Sequence, residues 1–143
     1  MNFNQYINGK QNEILSLKLM NLNNINVISL IMVETYYRKP LFRYCEYVYW
    51  IITGNDKISI GLSQMKVKYI KTLKNIKFIQ RIKYIYLLES YKENYFLVEK
   101  YLKEYNVDSN TDDEAICKIY NGPNVSSHYI ENFKIAKKYI IYN

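Results

Sequence analysis

Histidine occurs once in these 143 residues, at His128, and cysteine only twice. One histidine and scattered carboxylates make no ligand set, so neither a metal site nor a cofactor is expected. Cys45 and Cys117 lie too far apart in sequence to read as a disulfide framework, and buried free thiols are their expected state. No run of 18 apolar residues occurs, so no transmembrane helix is read. The first ten residues, Met1 to Lys10, are polar and lack the apolar centre of a secretory signal. They are expected to form a flexible N-terminal segment. Glycine (4) and proline (2) are scarce, and neither a repeat nor a linker is visible, so residues 1–143 read as a single domain, expected to be monomeric.

What is present is apolar and basic. Hydrophobic residues make up 49%, too many for a disordered chain. The 17 tyrosines accompany an excess of Ile, Asn and Lys, all with A/T-rich codons, so their number alone carries no functional weight. A net charge of +7 draws the chain to polyanions: nucleic acid, anionic lipid or an anionic cell wall.

Apolar periodicity organises the chain as mainly α. A short apolar run covers 14–20, and Ile25, Ile28 and Ile31 follow helical spacing over about 25–36, with Glu34 near the end. Pro40 opens a helix over 40–53, whose Leu41, Tyr44, Cys45, Val48, Ile51 and Ile52 are expected to face the core. Gly54-Asn55-Asp56 ends it. Residues 57–62 alternate around Gly61 and predict a small β element. Ser63 is placed to cap a helix over 64–73, residues 78–105 form one or two helices, and Thr111 caps one over 112–120. After the turn Asn121-Gly122-Pro123-Asn124, a last helix runs from Ser126 or Ser127 to about Ile141.

Three pieces carry chemistry together. The first is Val33-Glu34-Thr35 at the end of an apolar helix. The second is Ser59-Ile60-Gly61-Leu62-Ser63-Gln64-Met65. The third is Tyr120-Asn121-Gly122-Pro123, with Tyr129-Ile130-Glu131-Asn132 behind it. In this order and at these spacings the chain resembles the soluble lytic transglycosylase and goose-type lysozyme families over about 25–135. Their pattern is a Glu closing a helix, a Ser-x-x-Gly-Leu-Met-Gln-like turn, and a Tyr-Asn-x-Gly turn before a further helix. Ser63 stands where the usual Met precedes the glutamine. The segment from Glu34 to Ser59 is longer than those families place there, and its Trp50 and tyrosines read as core or as one wall of a cleft.

The resemblance implies a mainly α, lysozyme-like fold and a peptidoglycan-cleaving glycosidase, either a lytic transglycosylase or a muramidase. It would act on the MurNAc-GlcNAc β-1,4 bond of glycan strands, with Glu34 as general acid/base. Such an acid must stay protonated near its working pH, and Ile31, Met32 and Val33 offer the apolar setting that raises its pKa. By the same resemblance, Ser59 and Gln64 face the cleft, Gly61 lets the backbone approach a sugar, Tyr120 lies within reach of the glutamate, and Asn121 shapes its turn. A hydrolase needs a second carboxylate. Asp56 is the leading candidate and Glu46 the runner-up, whereas Lys66 stands where goose-type enzymes carry an aspartate. Arg38 and Arg43 read as solvated, with a peptide-stem carboxylate as their possible target. His128 reads as a solvated residue after the turn. The place of action would be the cell wall, periplasmic or extracellular, reached by a route supplied from elsewhere.

A rival reading starts from charge. Lys57 to Leu88 holds no acidic residue, while Lys57, Lys66, Lys68, Lys71, Lys74, Lys77, Arg81 and Lys83 are basic. Interleaved with Tyr69, Phe78 and Tyr84, they could form a face for nucleic acid or an anionic membrane. A third reading keeps the lysozyme-like domain as a catalytically inactive glycan binder. Peptidoglycan remains the expected partner, with nucleic acid not expected and membrane contact only through the basic surface.

Overall fold

A computed structural model describes residues 1–73 and 75–143, the side chain of Lys71 excepted, so Lys71 and Lys74 of the basic stretch lie outside the described side chains. The architecture is mainly α with a minimal β element, as the sequence predicts. Helices α1 (Phe3–Asn8), α2 (Gln11–Leu19), α3 (Ile25–Tyr37) and α4 (Pro40–Thr53) are followed by strands β1 (Ser59–Ile60) and β2 (Met65–Lys66). Two short 3-10 turns, Val67–Tyr69 and Lys71–Leu73, lead to α5 (Phe78–Leu88), α6 (Tyr91–Glu104), α7 (Asp113–Asn121) and α8 (Ser127–Tyr142).

Helix α3 is the axis of the molecule. Asn26 to Val33 are buried without a break, which covers every side of a helix and fits an element surrounded by others. It packs on α6 and α8. Asn24 caps it, its side chain accepting from the Val27 N–H at 3.3 Å. Exposure rises from 0% at Val33 to 45% at Tyr37, so α3 leaves the core over its last turn, where Glu34 sits. Lys39 precedes a proline and takes ψ 147°, which ends α3 and lets Pro40 open α4. One hydrophobic cluster draws residues from every helix, from Phe3 in α1 to Ile140 in α8.

Four expectations fail, each for a physical reason. Residues 1–10 are not a loose lead-in: an Asn2–Gln5 capping box starts α1, which buries Phe3, Tyr6 and Ile7, and Phe3 meets Tyr36 edge-on at 5.0 Å. No α-helix spans 64–73. Ser63 is buried and its hydroxyl goes to Asn94 instead of to a helix start, and Val67, Ile70 and Leu73 are buried at a spacing of three, the period of 3-10 turns. The cap of α7 is Asp112, not Thr111. Its carboxylate accepts from the N–H groups of Glu114 and Ala115, a charged acceptor at a positive helix end, while the Thr111 hydroxyl donates to Asp108.

The fourth concerns α4. Leu41, Tyr44, Cys45, Val48 and Ile52 face outward, and the buried side is Arg43, Tyr47 and Trp50. The buried side is set by a polar network: Arg43 donates to both oxygens of Glu89 at 3.2 Å, and the Tyr47 hydroxyl donates to Oε1 of the same carboxylate at 2.6 Å. Cys45 is therefore exposed, whereas Cys117 is buried as expected. Arg81 of α5 closes the far end of α4, donating to the carbonyls of Trp50 and Ile51.

Candidate active site

Glu34 is partly covered in the last turn of α3, and its Oε1 accepts a hydrogen bond from the Tyr129 hydroxyl at 2.6 Å. Tyr129 lies in the first turn of α8, is 3% exposed, and stacks on Tyr37 at 5.8 Å between centroids. Burial raises the Glu34 pKa from 4.5 to about 7. The Tyr129 hydrogen bond and the positive charge of Arg38 oppose that rise without cancelling it. The carboxyl is thus poised to be protonated or ionised near neutral pH, which general acid/base work requires.

Glu34 lines a cavity of about 250 Å³. Arg38 joins it from α3, and the β1–β2 hairpin supplies Ser59, Gln64, Met65 and Lys66. Tyr101 comes from α6, and the end of α7 contributes Tyr120 and Asn121. Five of the residues named from sequence therefore meet in one cavity: Glu34, Ser59, Gln64, Tyr120 and Asn121. Gly61 and Asp56 do not line it. Asp56 is exposed, and its backbone carbonyl accepts from the Lys68 N–H at 2.8 Å, which ties the residue to the loop before β1.

The turn from Gly61 to Gln64 is held by three helices. The Thr35 hydroxyl of α3 donates to the carbonyls of Ile31 and Leu62. Asn94 of α6 is fully buried, accepts from the N–H and hydroxyl of Ser63, and donates to the carbonyls of Leu88 and Ser90. The Tyr120 hydroxyl of α7 donates to the Ser63 carbonyl at 2.7 Å. Held in this way, Gln64 adopts φ +51°, a left-handed conformation that costs a non-glycine residue of order 1 kcal/mol or more. Its amide nitrogen donates to the Gly61 carbonyl, and its Oε1 accepts from Arg38 Nε at 3.0 Å.

This packing alone already calls for glycine at 61. Its φ is +81°, and a Cβ there would come 2.9 Å from Asn94 Oδ1 and 3.2 Å from the Leu88 carbonyl. The resemblance places a tyrosine near the glutamate, and two fill that neighbourhood. Tyr129 holds the carboxyl, while Tyr120 anchors the turn and lines the cavity. Burial, with the charge of Glu34 second, holds the Tyr120 hydroxyl well above its ordinary pKa, so it stays a neutral donor.

The sequence points to the Tyr129 segment without a role for the residue itself, and Asn94 does not stand out in it. Seventeen tyrosines hid the first. The second gives no local signal, because its partners lie up to 31 residues away. Arg38 and Lys66 are cations on the cavity wall. Arg43 is instead buried on Glu89, which removes it as a ligand for a peptide-stem carboxylate. Glu46 of α4 pairs with Arg38 at 3.3 Å and does not line the cavity, and His128 is solvated. Among the described residues, Glu34 is the only carboxylate on the cavity wall. Comparison with family models, with curated proteins and with solved structures finds no match to this chain.

Proposed function

We propose that this protein cleaves peptidoglycan glycan strands as a lytic transglycosylase, with Glu34 as the single acid/base group. The observation that carries the reading is the place of Glu34, held by Tyr129 in a cavity shared with Ser59, Gln64, Tyr120 and Asn121, where burial pushes its pKa up to about 7. Protonated Glu34 gives its proton to the glycosidic oxygen as the bond to the muramyl C1 breaks and positive charge builds on that sugar. The carboxylate left behind takes the proton of the muramyl C6 hydroxyl while O6 bonds to C1. One C–O bond breaks, one forms, the acid is regenerated and no water is consumed.

The lone carboxylate favours this route over hydrolysis. Inverting enzymes need a second carboxyl to activate water, and most retaining enzymes need one as nucleophile. Arg38 and Lys66 suit a substrate that carries carboxylates on its peptide stems. A volume of about 250 Å³ lies just below the ~300 Å³ at which ligand pockets usually begin, which fits one part of a long strand better than a whole small molecule.

Digestion of purified sacculi in ¹⁸O-labelled water, followed by mass spectrometry of the soluble muropeptides, tests the route. The proposal expects 1,6-anhydro ends without label. Labelled reducing ends would make the protein a hydrolase, and an absence of soluble fragments from several wall types would remove the enzyme reading.

A further inference from the structure

Among the described residues, nothing covers the outward face of α4. Leu41, Phe42, Tyr44, Val48, Tyr49 and Ile52 are between 49% and 72% exposed. The two charged residues of the helix are turned away from that face, Arg43 onto Glu89 and Glu46 onto Arg38. At about 100° per residue, positions 41–52 therefore present an uncharged outer arc of roughly 160°. Helix α5 packs beside α4 and carries a second outward stripe, Phe78, Ile79, Ile82 and Tyr86, between 50% and 86% exposed. Folded proteins seldom leave so many large apolar side chains exposed on neighbouring helices without a use for them.

Charge selects the occupant. Lys39 immediately precedes α4, Lys77 immediately precedes α5, and Lys83 flanks the α5 stripe, all exposed, and no acidic residue occurs from Lys57 to Leu88. A second copy would bring two such cationic rims together, each on a molecule of charge +7. An oligonucleotide would use the rim and stack on the aromatic rings, but would leave Leu41, Val48, Ile52, Ile79 and Ile82 in water. An anionic lipid surface uses both, and tyrosines such as Tyr44, Tyr49 and Tyr86 suit the headgroup level. We propose that the outer face of α4 and α5 seats the protein on an anionic lipid bilayer, its apolar side chains in the headgroup–acyl boundary and its lysines on lipid phosphates. The contact is peripheral: among the described residues no helix is long and apolar enough to cross a membrane. It is independent of the peptidoglycan reading.

Cys45 lies within the arc and is exposed, while Cys117 is buried with its thiol pushed up to about 12, so an environment-sensitive thiol dye labels Cys45 alone. With vesicles of phosphatidylglycerol and phosphatidylcholine in equal parts, the dye emission should shift to the blue and the unlabelled protein should co-sediment. Pure phosphatidylcholine vesicles, or raised salt, should weaken binding about tenfold or more. The Lys77→Gln/Lys83→Gln variant should weaken it similarly. Leu41→Ser/Val48→Ser/Ile52→Ser should abolish it with an unchanged circular dichroism spectrum. No dye shift and no co-sedimentation with anionic vesicles would overturn the proposal. So would a protein dimer that the triple serine variant dissolves in the absence of lipid binding, or binding to an oligonucleotide but not to vesicles.

Discussion

Glu34 should weaken the fold as pH rises, and Glu34→Gln should relieve that cost. The carboxyl has a pKa of about 7 in the folded state against an ordinary 4.5. Below pH 4.5 it is protonated in both states and contributes nothing to the difference. Between 4.5 and 7 the folded state keeps a proton that the unfolded state releases, so stability falls with pH. Above 7 the fall is complete. The full shift corresponds to about 3 kcal/mol, and water reaching this partly covered group reduces it to about 2 kcal/mol. Glutamine has nearly the same shape, can still accept from Tyr129, and never ionises. The melting temperature of Glu34→Gln minus that of the parent should therefore be about 4–8 °C more positive at pH 8 than at pH 4. Scanning calorimetry of both proteins at pH 4, 6 and 8 measures it, and the other titrating groups cancel in the difference. A difference that stays constant with pH would refute the placement of Glu34 in a desolvating site.

Asn94→Ala removes four hydrogen bonds around the Gly61–Gln64 turn and leaves buried groups unpaired. It should cost about 3 kcal/mol, a fall of roughly 6–12 °C in melting temperature, and should lower sacculus solubilisation as well. Tyr129→Phe removes a donor that favours the Glu34 carboxylate, so the Glu34 pKa should rise and the alkaline limb of the pH–rate profile should move to higher pH. A limb that stays or moves to lower pH contradicts the hydrogen-bond assignment. A disulfide exchange reagent should titrate one thiol per native chain at pH 8, Cys45, and two after unfolding in guanidinium chloride.

Much of the frame is written in local sequence. The period of Ile25, Ile28 and Ile31 marked α3, Pro40 and Gly54 marked both ends of α4, and Ser126 capped α8, because caps, prolines and apolar spacing act within a few residues. The site was partly legible for a different reason: three short motifs in a known order named five residues that the fold gathers around one cavity. What escaped depends on distant partners. The buried side of α4 was decided by Glu89, 46 residues beyond Arg43, against an apolar pattern that pointed the other way. The turn that carries Gln64 is set by Asn94, and the residue that grips Glu34 comes from α8, 95 positions along the chain. Asp56 looked suitable by its place in sequence, but the loop before β1 leaves it in solvent.

If Glu34 is the proton donor in cleavage of glycan strands, its loss must stop that cleavage without unfolding the protein. The direct measurement is release of soluble muropeptides from purified sacculi by the parent and by Glu34→Gln, with both confirmed as folded by circular dichroism. The parent should release fragments steadily and the variant about a hundredfold less or lower still, the scale of one general acid/base group. Equal release by the two proteins would contradict that role for Glu34.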